Sequence, residues 1–206
     1  GSEMCIRDSA YGDLWLDENG YIYINPNDPK LMVTDERIKL GSVLPDYNAG
    51  FRNDFSYKGI NLSLLFSARF GGIVVSPTQG FLDGLGVSKA SADARDAGGV
   101  PINNGRIDAQ HYYETVGLGQ LLSHYTYSAT NVRLQETSIG YTFPKKWMGD
   151  RVKLTASLVG RNLWMIYCKT PCDPELTAST GSYLQGIDYF MQPSLRSLGF
   201  NVQLKF

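Results

Sequence analysis

The last ten residues of the chain alternate between apolar and polar or small side chains without a break. The apolar positions of this run are Leu198, Phe200, Val202, Leu204 and Phe206. A period of two predicts a β-strand with one apolar and one polar face. Soluble sandwiches contain such strands as well, but a chain that ends flush with an alternating strand is typical of transmembrane β-barrels.

An early hairpin shows the same alternation. The segment Asp46–Tyr57 carries Phe51 and Phe55 on one face and polar residues on the other. Lys58-Gly59 then forms a predicted two-residue turn, in which glycine suits a positive φ. The return strand, 60–70, alternates again. Strands of about eleven residues, at about 3.3 Å each, are long enough for a tilted passage through a bilayer.

Three more strands are predicted downstream, which makes five in all. The segment Asn131–Phe143 has Val132 and Leu134 out of phase with its second half, so we expect either a bulge or a stretch above the membrane. Arg151–Asn162 and Arg196–Phe206 alternate regularly.

The predicted connections alternate between long and short. Outer-membrane barrels have short periplasmic turns and long extracellular loops. We therefore predict an all-β fold of antiparallel transmembrane barrel strands with long extracellular loops, in which Gly80, Gly84 and Gly86 are loop glycines. The long connections are 11–45, 71–130 and 163–195, and the short ones are 58–59 and 144–150.

Composition and charge exclude several classes of function. A net charge of −1 argues against nucleic-acid binding, which needs a basic face. No apolar run approaches the roughly 18 residues of a spanning helix, so any membrane passage uses strands. His111 and His124 are far apart and no four-ligand spacing is present, so we expect neither a metal nor another cofactor. No arrangement of nucleophile and base predicts an enzyme.

The first nine residues look foreign to the protein. Met4–Ser9 resembles the translation of a sequencing-adapter end, and we therefore treat residues 1–9, with Cys5, as an assembly artefact. Residues 10–206 then form a single region, part of a protein that continues upstream. The lack of a signal peptide at this end carries no information.

Several motifs occur in an order that is similar to one known family. They include Gly41-Ser-Val-Leu-Pro-Asp46, Tyr127-Ser-Ala-Thr-Asn-Val-Arg-Leu134, Gly160-Arg-Asn-Leu163, Gly186-Ile-Asp-Tyr-Phe190 and Pro193-Ser-Leu-Arg-Ser197. From about Tyr11 to Phe206, the chain resembles the SusC/RagA-type TonB-dependent outer-membrane importers of Bacteroidetes.

This resemblance implies a location and a function. The chain would supply the C-terminal strands of a roughly 22-stranded barrel in the outer membrane. Such importers take up glycans or peptides, draw energy through TonB and work with a SusD-like surface lipoprotein. Their plug would lie upstream, and five strands alone are not expected to close a barrel or to transport a solute.

Four tyrosines in the longest loop are candidate contacts for the oligosaccharide or peptide substrate: Tyr112, Tyr113, Tyr125 and Tyr127. Tyrosine rings stack on apolar faces and their hydroxyls form hydrogen bonds. Ordinary loop packing is the alternative interpretation.

Two further features have paired interpretations. Cys168 and Cys172, both placed in an outer loop, either form a disulfide or remain two thiols. Phe206, as the final residue of the closing strand, resembles the signal read by the barrel-assembly machinery. It would also serve as an anchor in the outer-membrane lipid.

Two rival classes remain open. The first is a soluble carbohydrate-binding β-sandwich module, which would bury the apolar strand faces against each other. The second is a small antiparallel enzyme, which should show a cleft with clustered carboxylates. Asp173-Pro-Glu175 and Asp188 are interpreted as an Asp-Pro turn and solvated loop charges, rather than as paired carboxylates for acid–base chemistry or a calcium loop.

Overall fold

A computed structural model of the protein describes residues 13–25, 27–34, 39–119, 121–144, 153–175 and 185–205. Its strands are β1 (Ile24–Asn25), β2 (Asp28–Leu31), β3 (Tyr47–Tyr57), β4 (Ile60–Phe70), β5 (Ile73–Val75), β6 (Val100–Ile102), β7 (Gly105–Ile107), β8 (Thr126–Ser128), β9 (Asn131–Thr142), β10 (Lys153–Cys168) and β11 (Ser197–Lys205). Its helices are α1 (Pro77–Gly84), α2 (Lys89–Asp96), α3 (Ala109–Tyr113) and a π-helix (Glu114–Leu118).

The chain divides into two units, each built from three stretches of sequence. The sheet unit comprises Pro45–Gly71, Ala129–Lys169 and Pro193–Phe206. The loop unit comprises Gly1–Leu44, Gly72–Ser128 and Thr170–Gln192. Each unit therefore needs long-range contacts to form.

The sheet unit is one antiparallel sheet of five strands in the order β11-β10-β9-β4-β3. β3 and β4 each contain 11 residues, and β9 contains 12. These lengths meet the roughly 9–11 residues of a transmembrane β-strand. The predicted fold class, with its five antiparallel strands, is confirmed.

Most of the apolar side chains of the five strands lie on one face of the sheet. Phe51 on β3 pairs with Phe66 on β4. Leu158 on β10 pairs with Phe200 on β11. This face is open: 64% of Phe51, 68% of Phe200 and 84% of Leu198 is exposed. A water-soluble sandwich would pack this face against a second sheet, whereas a barrel wall turns it toward lipid.

The predicted irregularity in β9 is a β-bulge. Leu65 of β4 lies opposite Glu136, but the next residue, Phe66, lies opposite Leu134. Gln135 is therefore the extra residue of β9. The bulge shifts the phase so that Leu134 joins the apolar face beside Phe66, which explains the break in the alternation.

β10 is longer than the sequence indicated. The prediction ended this strand at Asn162 and placed Cys168 in a loop, but the strand runs to Cys168. Asn162 has a φ of 52°, and the pairing with β9 shifts between Arg161 and Trp164. This second bulge interrupts the period of two, so the last part of the strand was missed.

The turn between β3 and β4 is as predicted. Lys58 and Gly59 have φ values of 48° and 90°. Two positive φ values define a type I′ turn, whose twist matches that of the flanking strands. A Cβ on Gly59 would lie 2.8 Å from the Thr142 carbonyl oxygen, so glycine is required there for space as well.

The other face of the sheet is polar and linked by hydrogen bonds across four strands. Ser56 Oγ donates to Asn61 Oδ1 at 2.9 Å, and Asn61 Nδ2 donates to Thr142 Oγ1 at 3.0 Å. The hydroxyls of Thr142 and Thr155 lie 3.1 Å apart. The row joins β3, β4, β9 and β10, so this face satisfies much of its own polarity.

Two ion pairs also belong to the polar face. Arg52 Nε lies 3.0 Å from Asp54 Oδ2 within β3. Arg161 Nε on β10 lies 3.0 Å from Glu136 Oε2 on β9. Both pairs are partly exposed, and exposed pairs contribute little to stability.

The loop unit contains helices that the sequence did not reveal. The connection predicted as a loop, 71–130, holds α1, α2, α3 and the π-helix. Gly80 and Gly84 belong to α1, so their prediction as loop glycines is wrong. These helices are too short for a clear period of 3.6 residues.

A small hydrophobic core holds the loop unit together. Leu14, Val116, Leu121 and Tyr125 are among its buried members, each less than 5% exposed. Ile22 and Tyr112 pack against it. The loop unit therefore has a core of the kind that water-soluble domains use.

No helix among the residues described is long and apolar enough to cross a lipid bilayer.

Candidate functional site

Each of the three α-helices of the loop unit begins at a side chain that caps it. Ser76, Ser88 and Asp108 accept hydrogen bonds from backbone N–H groups in the first turns of α1, α2 and α3. Pro77 occupies the start of α1, where its missing N–H is harmless. Caps of this kind fix where each helix starts and so which residues face one another.

Glycines let α1 approach the π-helix closely. A Cβ on Gly84 would lie 2.7 Å from Leu118 Cγ, and one on Gly117 would collide with the carbonyl of Gly80. The crossing therefore requires glycine at these positions. It holds Asp83, next to Gly84 in α1, against the segment that follows α3.

A cleft of about 370 Å³ opens among these helices, entirely within the loop unit. This volume lies within the roughly 300–1,000 Å³ of small-molecule sites. The side chains that give the cleft its chemistry are Asp83, Arg95, Gln110, Tyr113, Glu114 and Leu118.

Asp83 is a buried carboxylate of the cleft. It is 6% exposed, Gln79 Nε2 donates to its Oδ1 at 2.7 Å, and the Tyr125 hydroxyl donates to its carboxylate. Both donors are neutral. Asp83 is not among the residues predicted for a site, although the spacing of Gln79 and Asp83 places them on one face of a helix.

The remaining polar groups of the cleft are fixed by local hydrogen bonds. Gln110 Nε2 donates to Glu114 Oε1 at 2.8 Å, which links α3 to the π-helix. Arg95 Nη1 donates to the Gly86 carbonyl at 2.9 Å. The cleft therefore combines two carboxylates, one guanidinium, an amide and a tyrosine ring. This set favours binding of a small polar solute.

Two of the predicted substrate-contact tyrosines pack at the core. Tyr125 is 3% exposed, and burial, followed by the nearby Asp83 charge, raises the pKa of its phenol. Tyr112 packs on the same core, and burial raises its pKa to about 12. The packing alternative suits both positions, and their ligand contact stays a prediction.

The other two tyrosines differ in placement. Tyr127 lies on β8 against the core, and burial raises its pKa. Tyr113 lines the cleft and meets the Tyr112 ring edge-on, with centroids 5.0 Å apart. Burial, and then the charges of Asp83 and Asp93, raise the pKa of Tyr113. Among the four tyrosines, Tyr113 is the one that lines this cleft.

A buried aspartate holds the loop segment of the Gly186–Phe190 motif. Asp188, 3% exposed, accepts a hydrogen bond from Ser76 Oγ at 2.7 Å, and its backbone N–H donates to Val75 at 2.8 Å. Phe190, with a φ of 52°, donates its N–H to Thr78 Oγ1 at 2.7 Å. Asp188 is thus a structural anchor, and its interpretation as a solvated loop charge is wrong.

The two cysteines lie in different units. Cys168 ends β10, and Cys172 lies in the loop unit. Burial, and then the Asp188 charge, raise the pKa of the Cys172 thiol to about 11. Both are thiols in the structure. The choice between a disulfide and two thiols stays a prediction.

Two predictions concern residues outside the described part of the chain. Phe206, the predicted assembly signal, and residues 1–9, the predicted artefact, are not described. Among the described residues, no group of three or more His, Cys, Asp or Glu side chains is placed to hold a metal ion.

No protein-family model matches the chain. Curated proteins from Formosa agariphila are similar to the chain in sequence. TonB-dependent receptor P3 is 28% identical over 202 residues, which is 95% of this chain. TonB-dependent receptor P26 is 29% identical over 192 residues, or 89% of the chain. The chain spans about a fifth of the length of these relatives, 19% in each case.

Solved structures agree in fold. The RagAB peptide importer in its open-open state superimposes with a TM-score of 0.61 and 19% identity, covering 97% of this chain and 21% of that one. The closed-closed state gives a TM-score of 0.60 and 16% identity, covering 97% and 22%. The open antiparallel sheet thus has the fold of part of such a barrel. The predicted resemblance is confirmed: the chain is similar in sequence to TonB-dependent receptors and in fold to part of the RagAB importer.

Proposed function

We propose that this chain forms part of the wall and the outer loops of a gated barrel that imports glycans or peptides across the outer membrane. The observation that carries the proposal is the exposed apolar face of the five-stranded sheet, opposite a hydrogen-bonded polar face. A barrel wall needs this arrangement, because lipid lies outside it and water inside.

The chain contributes the C-terminal strands in this proposal. β11 would close the barrel, and the missing strands, the plug and the TonB-contacting segment would lie upstream. The short turn at Lys58–Gly59 would face the periplasm, and the long connections would face the outside. A SusD-like surface lipoprotein would then cover the extracellular opening of the barrel. Solute passage needs no covalent chemistry, so the chain is not an enzyme.

The solute class has two candidates. The RagAB neighbours are named as a peptide importer, which favours peptides. Tyr113 in the cleft suits glycans as well, because its ring stacks on apolar faces and its hydroxyl forms hydrogen bonds. Uptake assays with the full-length protein, using oligosaccharide and peptide mixtures in the presence and absence of TonB, test the solute and its energy source.

The alternative is a soluble β-sandwich. Substitutions at two adjacent residues of β11 distinguish it from a barrel wall. Phe200 lies on the apolar face and Asn201 on the polar face. In the full-length protein, Phe200→Arg should impair insertion into outer-membrane lipid, because arginine at the bilayer midplane costs about 2–4 kcal/mol. Asn201→Arg, the matched control, should insert almost normally.

Heat-modifiable migration on gels and membrane fractionation measure this insertion. Equal insertion of both variants, or a wild-type protein that is stable in solution without detergent, would overturn the proposal. Co-purification of a lipoprotein from cross-linked outer membranes tests the partner separately.

A further inference from the structure

The cleft of the loop unit contains a buried carboxylate without a cationic partner. Asp83 is only 6% exposed. Its carboxylate accepts hydrogen bonds from two neutral groups, the Gln79 amide and the Tyr125 hydroxyl. Within the described part of the chain, no Lys, Arg or His nitrogen lies within 4.0 Å of this carboxylate. Buried carboxylates are ordinarily paired with a cation, because isolated charge is costly to bury.

The neighbours of Asp83 in the cleft suit a cation. Tyr113 supplies an aromatic ring, and Glu114 supplies a second carboxylate. An ammonium group has three N–H donors, which carboxylate oxygens accept, and it is attracted to the face of a tyrosine ring.

We infer that this cleft recognises the primary ammonium group of a solute, with Asp83 as the carboxylate that receives it. The inference rests on the proposed function, since the solute would be captured on its way into the barrel. A peptide amino terminus, a lysine side chain and an amino sugar share this chemistry.

Arg95 adds a second requirement. Its Nη1 is occupied by the Gly86 carbonyl, and its other N–H groups can meet a carboxylate or hydroxyl oxygen of the same solute. The π-helix places Glu114 and Leu118 on the same cleft wall, and such widened turns frequently occur at functional sites. The cleft therefore favours a small solute that carries an ammonium group and an oxygen acceptor.

Isothermal titration of the full-length protein in detergent tests the inference with two matched pairs of probes. One pair is tri-alanine and its N-acetylated form, and the other is glucosamine and N-acetylglucosamine. At least one free amine should bind about tenfold or more tightly than its acetylated partner, since a hydrogen bond to a charged group contributes about 1.5–3 kcal/mol. The pair that shows the preference identifies the source of the amine.

Variants then locate the site. Asp83→Asn should abolish the preference for the free amine, and Asp96→Asn should keep it, because Asp96 ends α2 and does not line the cleft. Limited proteolysis checks that both variants are folded. Glu114→Gln is an exposed second variant, which should reduce the preference even if Asp83→Asn does not fold.

Equal affinity for amine and acetylated probes, absence of binding by every free-amine probe, or an unchanged preference in both cleft variants would overturn the inference. The insertion assay with Phe200→Arg is independent of this result. A protein that inserts and transports without amine preference therefore disproves the inference alone, whereas failure of insertion disproves the proposed function.

Discussion

The two units of this chain place their large apolar side chains differently: the sheet unit exposes them and the loop unit buries them. In the sheet unit, Phe200 and Leu198 are large apolar residues that remain more than half exposed. In the loop unit, Leu121 and Val116 are almost completely buried in a compact core. The same residue types are thus placed outward in one unit and inward in the other.

The difference teaches that the two units are built for two solvents. An apolar face on the outside is stable when hydrocarbon surrounds it, and an apolar core is stable when water does. A substitution or a change of pH that affects residues of only one unit should therefore change the stability of that unit alone.

The largest expected effect is at alkaline pH and is confined to the loop unit. Burial raises the pKa of Tyr112 from its ordinary 10 to about 12, and raises that of Tyr125 as well. As pH rises from 10 toward 12, the unfolded chain releases these protons while the folded unit retains them, so the folded unit loses stability. Near-ultraviolet circular dichroism and tyrosinate absorbance of the full-length protein in detergent should show the loop unit melting before the sheet.

Tyr112→Phe is the control for this titration. It should move the alkaline transition to higher pH, because phenylalanine has no proton to lose. Simultaneous melting of both units at one pH, unchanged by this variant, would contradict the division into two solvents.

A matched pair of leucine truncations gives the next effect. Leu121→Ala, at a position 2% exposed, should destabilise the loop unit by about 2–5 kcal/mol through the cavity it leaves. Leu198→Ala, at a position 84% exposed within the protein, leaves no internal cavity and should cost less, because it loses only the transfer of the side chain into hydrocarbon. Protease susceptibility across a denaturant series measures both, and equal losses would break the comparison.

The smallest effect is expected on the polar face of the sheet. Arg161→Gln removes the 3.0 Å pair with Glu136, whose side chains are 66% and 38% exposed. The loss should be about 0–1 kcal/mol, because solvent screens such pairs. Added salt should not change the difference between variant and wild type much. A loss well above this range would mean that the polar face excludes water.

The strands were predictable from sequence because apolar and polar side chains alternate along a strand that has lipid on one face and water on the other. The phase break at Val132 and Leu134 predicted either a bulge or a stretch above the membrane, and the register with β4 shows the bulge. The end of β10 was not predictable. At Asn162 the backbone adopts a positive φ, which resets the alternation and leaves no pattern in the last residues.

The candidate site was mostly hidden from sequence analysis. The tyrosines in the long connection were visible, but only the tertiary fold distinguishes Tyr113 at the cleft from Tyr125 in the core. The capping residues Ser76, Ser88 and Asp108 were available as signals of helix starts. The burial of Asp83 was not, because it depends on the close helix crossing at Gly84 and Gly117.

The division of the loop unit into three stretches of sequence has a kinetic consequence. Its core joins Leu14 to Leu121, and strands β3 and β4 lie between them in the chain. Closing such large loops is slow, because the entropy of ordering is lost before the contacts are gained. We expect the nearby β3–β4 hairpin to form early and the core around Leu121 late. A newly made chain would then acquire the cleft of its loop unit only near the end of its maturation.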